Sequence, residues 1–253
     1  IKETFRKNIV KAVKEEKTIV IPVFSLGRAQ EILYVLKDMQ SKYPKLFEKV
    51  PIFNDGELLR YYTEMYYKFQ EDGLLNFYVG KKDFLPENLT MVDSKQLRKE
   101  ILIKKGCKII VTSSGNGSYG PAQTYIPRFI KDPNALIHFT GYCHPDTLGY
   151  RLKTTKKDEI EEVSGTKVIK KADVEFTNEF SAHSKADELI KLLKKFEKLQ
   201  FVLVNHGQDD VKDEFSNRIL KELDLDQVGI LGREYFYRID KDGFVTSYTS
   251  KFI

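Results

Sequence analysis

Cysteine is scarce in this 253-residue chain, which contains only Cys107 and Cys143. Two cysteines do not make a disulfide framework, so we expect a reducing, cytoplasmic location. Long apolar segments are missing as well, because no run approaches the roughly 18 residues that a membrane-spanning helix needs. There is no signal-peptide pattern either. These absences argue against a disulfide-stapled secreted domain and predict no membrane partner.

A strong excess of charge of one sign is also absent. The formal net charge is +5, which permits binding to a polyanion such as nucleic acid but does not require it. The length and the 41% hydrophobic content suit one large domain or two small ones. Because the chain begins with Ile1 and Lys2 rather than with Met, we expect it to be an internal fragment of a longer protein.

Apolar strand-type runs alternate with amphipathic helical segments along the first part of the chain. Strands are predicted over residues 18–24, 50–53, 74–79, 89–92, 107–112 and 135–139. Helices are predicted over residues 2–16, 29–40, 57–69 and 94–105. This alternation predicts a parallel sheet built from βαβ units. Ligands of such sheets bind outside the carboxyl ends of the strands, so loops 25–28, 113–120 and 141–149 are candidates to line a substrate site.

The pattern changes near residue 153. Shorter β-type alternation over 159–177 contains a turn at Ser164-Gly165-Thr166. Beyond it we predict a helix over 185–198, a strand over 201–204, a helix over 211–223 and a C-terminal hairpin within 228–253.

Histidine is rare, and two of the four histidines, His183 and His206, each follow an extended apolar run in one strand–helix–strand unit. A histidine at the carboxyl end of a strand is held by the sheet and stays open to substrate. A capping or surface role is the alternative for each. The neighbours Cys143 and His144 look like a metal-binding pair, but no second pair has zinc-site spacing, so we interpret them as a buried thiol and a loop histidine.

Two further features could bind phosphate. Arg28 follows Gly27 at a strand-to-helix turn, where a guanidinium can hold a phosphate through two hydrogen bonds, the alternative being a salt bridge to Glu31. The Ser113–Gly120 loop could offer successive N–H groups to an anion. It has neither the lysine of a Walker loop nor the context of a dinucleotide fingerprint, so a plain loop remains the alternative.

Four sets of residues together resemble the β-CASP branch of the metallo-β-lactamase superfamily. They are Pro22-Val23-Phe24-Ser25-Leu26-Gly27-Arg28-Ala29-Gln30-Glu31, Gly141-Tyr142 with Thr147-Leu148-Gly149, Phe180-Ser181-Ala182-His183, and Val204-Asn205-His206-Gly207. They occur in the family's order across nearly the whole chain. That branch contains RNA-processing nucleases such as ribonuclease J and the endonuclease subunit of the cleavage and polyadenylation factor.

The resemblance implies an α/β fold in two parts. Residues 1–174 would form a β-CASP domain, with a parallel sheet and helices on both faces, and residues 175–253 the C-terminal αβ portion of a metallo-β-lactamase domain. The implied reaction of the parent protein is hydrolysis of RNA phosphodiester bonds by a hydroxide held between two zinc ions. His183 matches the family's catalytic motif B histidine, and His206 matches a ligand of the second zinc. The family's His-x-His-x-Asp-His motif is absent from this chain, so we expect the isolated fragment to hold no zinc tightly and to be inactive.

The expected partner is RNA, with single-stranded DNA a weaker candidate, and we predict substrate contacts for Arg28, Ser113, Ser114 and Gly115. The chain departs from the family pattern where Lys185 stands in place of a common Asp, and Gln208, Cys143 and Tyr150 also replace common residues. Two other functions stay open: a non-catalytic β-CASP scaffold that binds RNA or a partner nuclease, and a Rossmann-like nucleotide-binding domain. An incomplete second domain would expose apolar surface, so homodimerisation is a further expectation.

Overall fold

The computed structural model describes residues 2–74, 84–225, 227–232, 235–240 and 245–249. The strand predicted over 74–79 therefore lies, apart from its first residue, outside the described residues. The chain divides into two compact units, residues 1–181 and residues 182–253. None of the described helices combines the length and the apolar character needed to cross a bilayer.

A six-stranded parallel sheet forms the centre of the first unit. Its strands are β1 (Thr18–Pro22), β2 (Ile52–Asp55), β3 (Leu89–Val92), β4 (Lys108–Thr112), β5 (Ala135–Phe139) and β8 (Asp173–Phe176). Their order in space is β3-β2-β4-β1-β5-β8, and every neighbouring pair is parallel. The predicted α/β fold with a parallel sheet is confirmed. The predicted domain division between residues 174 and 175 falls within β8, and it stays a prediction.

Helices cover both faces of this sheet, as expected. They are α1 (Glu3–Lys14), α2 (Arg28–Lys42), α3 (Pro44–Phe47), α4 (Glu57–Glu71), α5 (Lys95–Ile103), α6 (Ala122–Phe129) and α7 (Leu148–Thr154). Successive residues of a strand point to opposite faces. Accordingly Ile19 and Ile21 of β1 join the apolar cluster under α1 and α2, while Val20 joins the cluster under α6 and α7. Both faces are buried, which explains the nearly uninterrupted apolar runs of the strands.

The free N–H groups at the start of two helices find hydrogen-bond acceptors in different ways. Ser94 caps α5, since its hydroxyl accepts the N–H of Leu97 at 3.2 Å, as the sequence predicts. Helix α1 is capped from a distant part of the chain instead. The carboxylate of Glu179 accepts the N–H groups of Thr4 and Phe5 at 2.9 and 3.0 Å. Two donors of the first turn are thereby satisfied, and the negative charge lies at the positive end of the helix.

A short hairpin precedes β8. Its strands are β6 (Ile160–Val163) and β7 (Thr166–Ile169), joined by Ser164 and Gly165. Both turn residues have left-handed backbones, with φ of 51° and 76°, as a two-residue hairpin turn of the mirror-image type requires. The predicted turn is confirmed.

The second unit contains α8 (Ala186–Leu193), β9 (Val202–Val204), α9 (Asp209–Leu223), β10 (Val228–Ile230), β11 (Tyr235–Ile239) and β12 (Val245–Thr249). Its core is built around Ile190, Val204 and Ile219. The predicted hairpin is present as β11 and β12. One bound was predicted wrongly, since α8 ends at Leu193 rather than at 198. Strand β10 pairs in parallel with β9.

Candidate functional site

Three loops meet at the carboxyl edge of the six-stranded sheet. They follow β1, β4 and β5, which are neighbours in the sheet. The N–H of Gly149 donates to the carbonyl of Asn116 at 2.9 Å, joining the loop after β4 to the loop after β5. The structure therefore brings together the three loops that the sequence places at this edge.

Arg28 begins helix α2 directly after the loop that follows β1. Gly27, its neighbour, has a φ of 75° and a ψ of −61°, and the N–H of Arg28 donates to the carbonyl of Leu26 at 2.9 Å. This is a γ-turn, a tight bend that favours glycine and turns the chain from strand to helix. The Arg28 guanidinium donates through Nη1 to the carbonyl oxygen of Thr140, in the loop after β5. The guanidinium is thus fixed between two of the three loops.

The predicted alternative for Arg28, a salt bridge to Glu31, is only weakly formed. Nε of Arg28 lies 3.9 Å from the Glu31 carboxylate, whereas the ammonium of Lys2 lies 2.9 Å from it. Burial lowers the pKa of Arg28, while the charge of Glu31 raises it. The Arg28 side chain is 15% exposed, and no described residue accepts a hydrogen bond from its Nη2. A guanidinium with unused donors in a poorly solvated setting is suited to binding an anion.

The Ser113–Gly120 loop uses many of its own donors internally. The Ser114 hydroxyl donates to Oδ1 of Asn116 at 2.9 Å and accepts the N–H of Tyr119 at 3.1 Å. The N–H of Gly117 donates to the Ser114 carbonyl at 3.0 Å, and the N–H of Ser118 to Oδ1 of Asn116 at 3.0 Å. The loop therefore does not present the uninterrupted row of N–H groups that a phosphate-binding nest needs.

Of the three loop residues predicted to contact substrate, Ser113 and Ser114 are partly exposed and Gly115 is buried. Gly115 packs against Phe24: a Cβ atom there would lie 2.9 Å from the Phe24 nitrogen and 3.0 Å from a ring carbon. The substrate contacts of Ser113, Ser114 and Gly115 stay predictions. Because Gly115 has no side chain, it leaves space for the Phe24 ring, which is a second role for this residue.

A buried network of hydrogen-bonded charged and polar side chains stabilises this edge of the sheet. Arg98 donates from Nε and Nη2 to the two oxygens of Asp55 at 2.6 and 2.7 Å, and the hydroxyl of Tyr125 donates to the same carboxylate at 2.7 Å. Asp55 is fully buried at the end of β2, and its carbonyl accepts the N–H of Ser113 at 3.3 Å. A buried carboxylate of this kind must be paired, and here it fixes the start of the Ser113–Gly120 loop.

His183 occupies a different setting from the one predicted. Strand β8 ends at Phe176, Phe180 lies in a turn, and His183 is an exposed residue of the irregular segment before α8. The prediction that it directly follows a strand is wrong, because the apolar Phe180 is buried by packing against Phe5 rather than by strand pairing. The catalytic role of His183 stays a prediction.

His206 does lie at a strand exit, two residues after β9. It is exposed, and its backbone is left-handed with a φ of 64°, while its N–H donates to Oδ1 of Asn205 at 2.9 Å. This conformation is uncommon for residues other than glycine, although histidine is among those that tolerate it. Strained backbone of this sort is found preferentially at functional sites. The role of His206 stays a prediction.

The described residues do not form a zinc site by themselves. A catalytic zinc takes three protein ligands, usually imidazoles or carboxylates, and keeps a fourth position for water. In the described parts of the chain, no three or more His, Cys, Asp or Glu side chains are grouped so as to bind a metal ion. These residues alone do not fit a zinc site, and His206 as a metal ligand stays a prediction that needs partners from elsewhere.

The remaining two histidines, His138 and His144, lie in β5 and in the loop that follows it. His138 is buried in β5, where Nδ1 contacts the carbonyl of Phe139 at 3.2 Å and Nε2 contacts the side-chain amide of Asn8 at 3.3 Å. Burial lowers the pKa of His138 to about 4, against the raising effect of the Phe139 carbonyl. His144 is exposed and lies 3.2 Å from the carboxylate of Asp146, which agrees with the loop histidine that the sequence predicts.

Sequence reasoning missed the Asp55 network and the Phe24 ring. The strand predicted over 50–53 continues further than expected, since Asn54 and Asp55 are the last residues of β2. An acid at the end of a strand in a parallel sheet was a usable signal, since that edge is where ligands bind. The partners of Asp55 carried no such signal, because Arg98 and Tyr125 are 43 and 70 residues away along the chain.

Comparison with known proteins gives two family matches. The Beta-Casp domain matches residues 29–152, and the Zn-dependent metallo-hydrolase RNA specificity domain matches residues 167–228. The second match begins at residue 167, within the part predicted as the β-CASP domain, so the predicted bounds of the two parts stay a prediction.

Curated relatives include three from different organisms. An RNase J-like protein of Methanocaldococcus jannaschii is 30% identical over 88% of this chain and 52% of its own length. A transcription termination factor, FttA, of Methanosarcina mazei is 28% identical over 82% of this chain and 33% of its own length. A ribonuclease of Thermus thermophilus is 27% identical over 81% of this chain and 47% of its own length. The chain thus spans about a third to a half of the length of these relatives.

Proposed function

We propose that this chain, which belongs to the β-CASP family, is part of a cytoplasmic nuclease that hydrolyses RNA phosphodiester bonds in RNA processing or decay. The observation that supports this most is the position of Arg28 among the three edge loops. Its guanidinium is partly desolvated, and Nη2 has no acceptor among the described residues. Phosphate oxygens match the donor geometry of arginine. Because the chain spans only part of its relatives, we assign catalysis to the longer parent and expect the isolated chain to be inactive.

In this proposal the first unit binds the RNA backbone. Arg28 holds one phosphate through Nη2 while Nη1 keeps its bond to Thr140. The loop after β4 forms the adjoining surface, where we assign the hydroxyl of the partly exposed Ser113 to a phosphate or ribose oxygen. Ser114 shapes the loop through its hydroxyl, and Gly115 gives room to Phe24.

The second unit contributes the two family histidines. We assign His183 to a proton transfer at the leaving oxygen, or to positioning of the reacting phosphate, as the motif implies. We assign His206 to a zinc ion of the parent, with the other ligands supplied by residues outside this chain. The Zn-dependent metallo-hydrolase match to residues 167–228 supports a zinc site in the family.

A second candidate is a β-CASP scaffold that binds RNA without cutting it. The feature in its favour is Lys185, two residues after His183, at a position where an acid is common in the family. A lysine there cannot accept a hydrogen bond as a carboxylate can. RNA binding is common to both candidates, whereas cleavage by the parent separates them.

The test is the salt dependence of RNA binding by the wild-type chain, Arg28→Ala and Arg128→Ala. Arg128 is the matched control, because it is an exposed arginine on α6, a helix that leads away from the carboxyl edge. A single-stranded oligonucleotide contact contributes about 0.7 to the slope of log K against log salt. Arg28→Ala should lower the slope by about that amount and weaken binding about tenfold, the loss of a charge-assisted bond of ~1.5 kcal/mol.

Arg128→Ala should leave the affinity near that of the wild type. If the two variants behave alike, or if Arg28→Ala changes neither affinity nor slope, Arg28 is not the phosphate-binding residue. If the wild-type chain shows no salt-dependent binding to RNA at all, the proposed function of the first unit fails.

A further inference from the structure

Exposed aromatic rings occur on each of the three loops at the carboxyl edge of the first unit. Phe24 in the loop after β1 is 49% exposed, Tyr119 in the loop after β4 is 69% exposed, and Tyr142 in the loop after β5 is 64% exposed. Leaving a phenyl ring half in water costs free energy that burial would recover. Because Phe24 has no hydroxyl to offset that cost, its exposure at this edge needs a physical reason.

The Phe24 ring is held in place by two glycines. A Cβ atom at Gly115 would lie 3.0 and 3.1 Å from two ring carbons, and a Cβ atom at Gly141 would lie 3.8 Å from Cε2 of the ring. The Phe24 carbonyl also accepts the N–H of Ala29 at 3.1 Å, which fixes its backbone. The ring therefore packs on the backbones of two neighbouring loops and still exposes about half of its surface.

The Arg28 guanidinium lies beside the same glycine. Its Nη1 is 3.2 Å from the position that a Cβ atom of Gly141 would occupy. Arg28 and the edge of the Phe24 ring thus both lie within 4 Å of one point. A flat apolar surface next to a cation is the combination that a nucleotide recognises, since the base stacks and the phosphate pairs with the charge.

We propose that Phe24 is a stacking platform for one base of single-stranded RNA whose backbone phosphate is held by Arg28. This deepens the proposed function and rests on it. Gly115 and Gly141 already hold the ring in place, so stacking of a base on it costs little side-chain conformational entropy. Stacking on an aromatic face accepts every base, so the platform selects single strands over duplexes rather than one sequence over another.

The test compares two probes, a single-stranded oligoribonucleotide and an abasic oligomer with the same ribose-phosphate backbone. Phe24→Leu keeps an apolar side chain but removes the ring. We expect it to weaken binding of the oligoribonucleotide about fivefold to a hundredfold, which corresponds to the ~1–3 kcal/mol of one base on an aromatic ring. Binding of the abasic oligomer and the salt slope should not change, and Phe24→Tyr should restore the affinity.

If Phe24→Leu folds poorly, a second variant can still test the proposal. The chain contains no tryptophan, so Phe24→Trp places a single fluorescent reporter at the platform. A base stacked on the indole should quench its fluorescence, while the abasic oligomer should not. Equal quenching by both probes, or none by either while RNA binds, would overturn the platform.

The outcomes separate this proposal from the proposed function. If Arg28→Ala lowers the salt slope but Phe24→Leu leaves both probes unaffected, RNA still binds at this edge and only the stacking assignment is wrong. If Phe24→Leu weakens both probes equally, the ring supports the loops rather than a base. If neither probe binds the wild-type chain, the proposed function itself fails.

Discussion

The Arg28 guanidinium donates a hydrogen bond to the carbonyl oxygen of Thr140, so the turn that follows β1 is fastened to the end of β5. These strands are neighbours in the sheet, and the bond closes the gap between their loops. Among the described residues, Nη2 of the same guanidinium has no hydrogen-bond acceptor. Arg28 is therefore both a structural brace and a candidate anion contact, and the two roles can be separated by substitution.

Arg28→Lys should separate charge from geometry. A lysine keeps the positive charge but replaces the planar fork by a single ammonium, which cannot hold Thr140 and a phosphate in the same arrangement. We expect the salt slope of RNA binding to stay close to the wild-type value while the affinity falls less than in Arg28→Ala, about threefold, a loss of ~0.7 kcal/mol. Fluorescence anisotropy over a range of salt concentrations measures both quantities. Full affinity in Arg28→Lys would show that only the charge matters.

Tyr125→Phe tests the buried network under the Ser113–Gly120 loop. The variant removes the hydroxyl that donates to Asp55 at 2.7 Å and leaves the bidentate contact of Arg98 in place. A hydrogen bond to a charged group contributes about 1.5–3 kcal/mol, so the free energy of unfolding should fall by that amount in urea titrations. Tyr34→Phe, at an exposed tyrosine of α2, is the control and should change stability by less than about 0.5 kcal/mol. Equal stability of the two variants would contradict the account of the network.

His138 predicts a dependence of stability on pH. Burial lowers its pKa to about 4 in the folded protein, below the ordinary value of 6.5, although the Phe139 carbonyl and Glu179 act in the opposite direction. Between these two values the unfolded chain binds a proton that the folded chain does not. Stability should therefore be lost as the pH falls from about 6.5 to about 4, by up to ~3 kcal/mol from this group.

The comparison that isolates His138 is with His138→Gln, whose amide can still bond to Asn8 and to the Phe139 carbonyl. Its unfolding free energy should fall less steeply over the same range of pH. His144→Gln, at the exposed loop histidine, should follow the wild-type curve. Parallel curves for all three proteins would mean that carboxylates alone set the acid sensitivity.

The metal content of the chain tests the assignment of His206. One imidazole at the exit of β9 does not complete a zinc site, and the described residues bring no ligand set together around it. Elemental mass spectrometry of the purified, dialysed chain should find far less than one zinc ion per molecule. A stoichiometric zinc would mean that the chain completes a site by itself, and the assignment of His206 to a site shared with outside residues would have to be abandoned.

Much of the first unit could be predicted from the sequence. The apolar run over 18–24 is long enough and rich enough in β-branched residues to be a buried strand, and Ser94 marks the start of α5 correctly, although the helix ends at Ile103 rather than at 105. A parallel sheet follows from the alternation of strands and helices, and it fixes the edge at which Arg28 and Ser113 lie. These features depend on local patterns, which a sequence displays directly.

The features that were missed depend on contacts between distant residues. The insertion of β4 between β2 and β1 decides which loops meet, and no local pattern encodes that order. His183 looked like a residue at a strand exit because Phe180 is apolar, yet Phe180 is buried through its contact with Phe5 in α1. Helix α8 was predicted too long for a similar reason, since Phe196 is apolar but exposed and does not extend the helix.

The most direct measurement of the central claim is amide hydrogen exchange of the chain with and without a single-stranded oligoribonucleotide. No described residue accepts a hydrogen bond from the N–H groups of Gly115, Asn116 and Gly120, so these amides should exchange quickly in the free chain. We expect RNA to slow exchange in peptides that cover residues 113–120 and 140–147 and to leave residues 128–134, at the C-terminal end of α6, unchanged. Protection confined to residues 128–134, or no protection while RNA is bound, would contradict RNA binding at the carboxyl edge of the sheet.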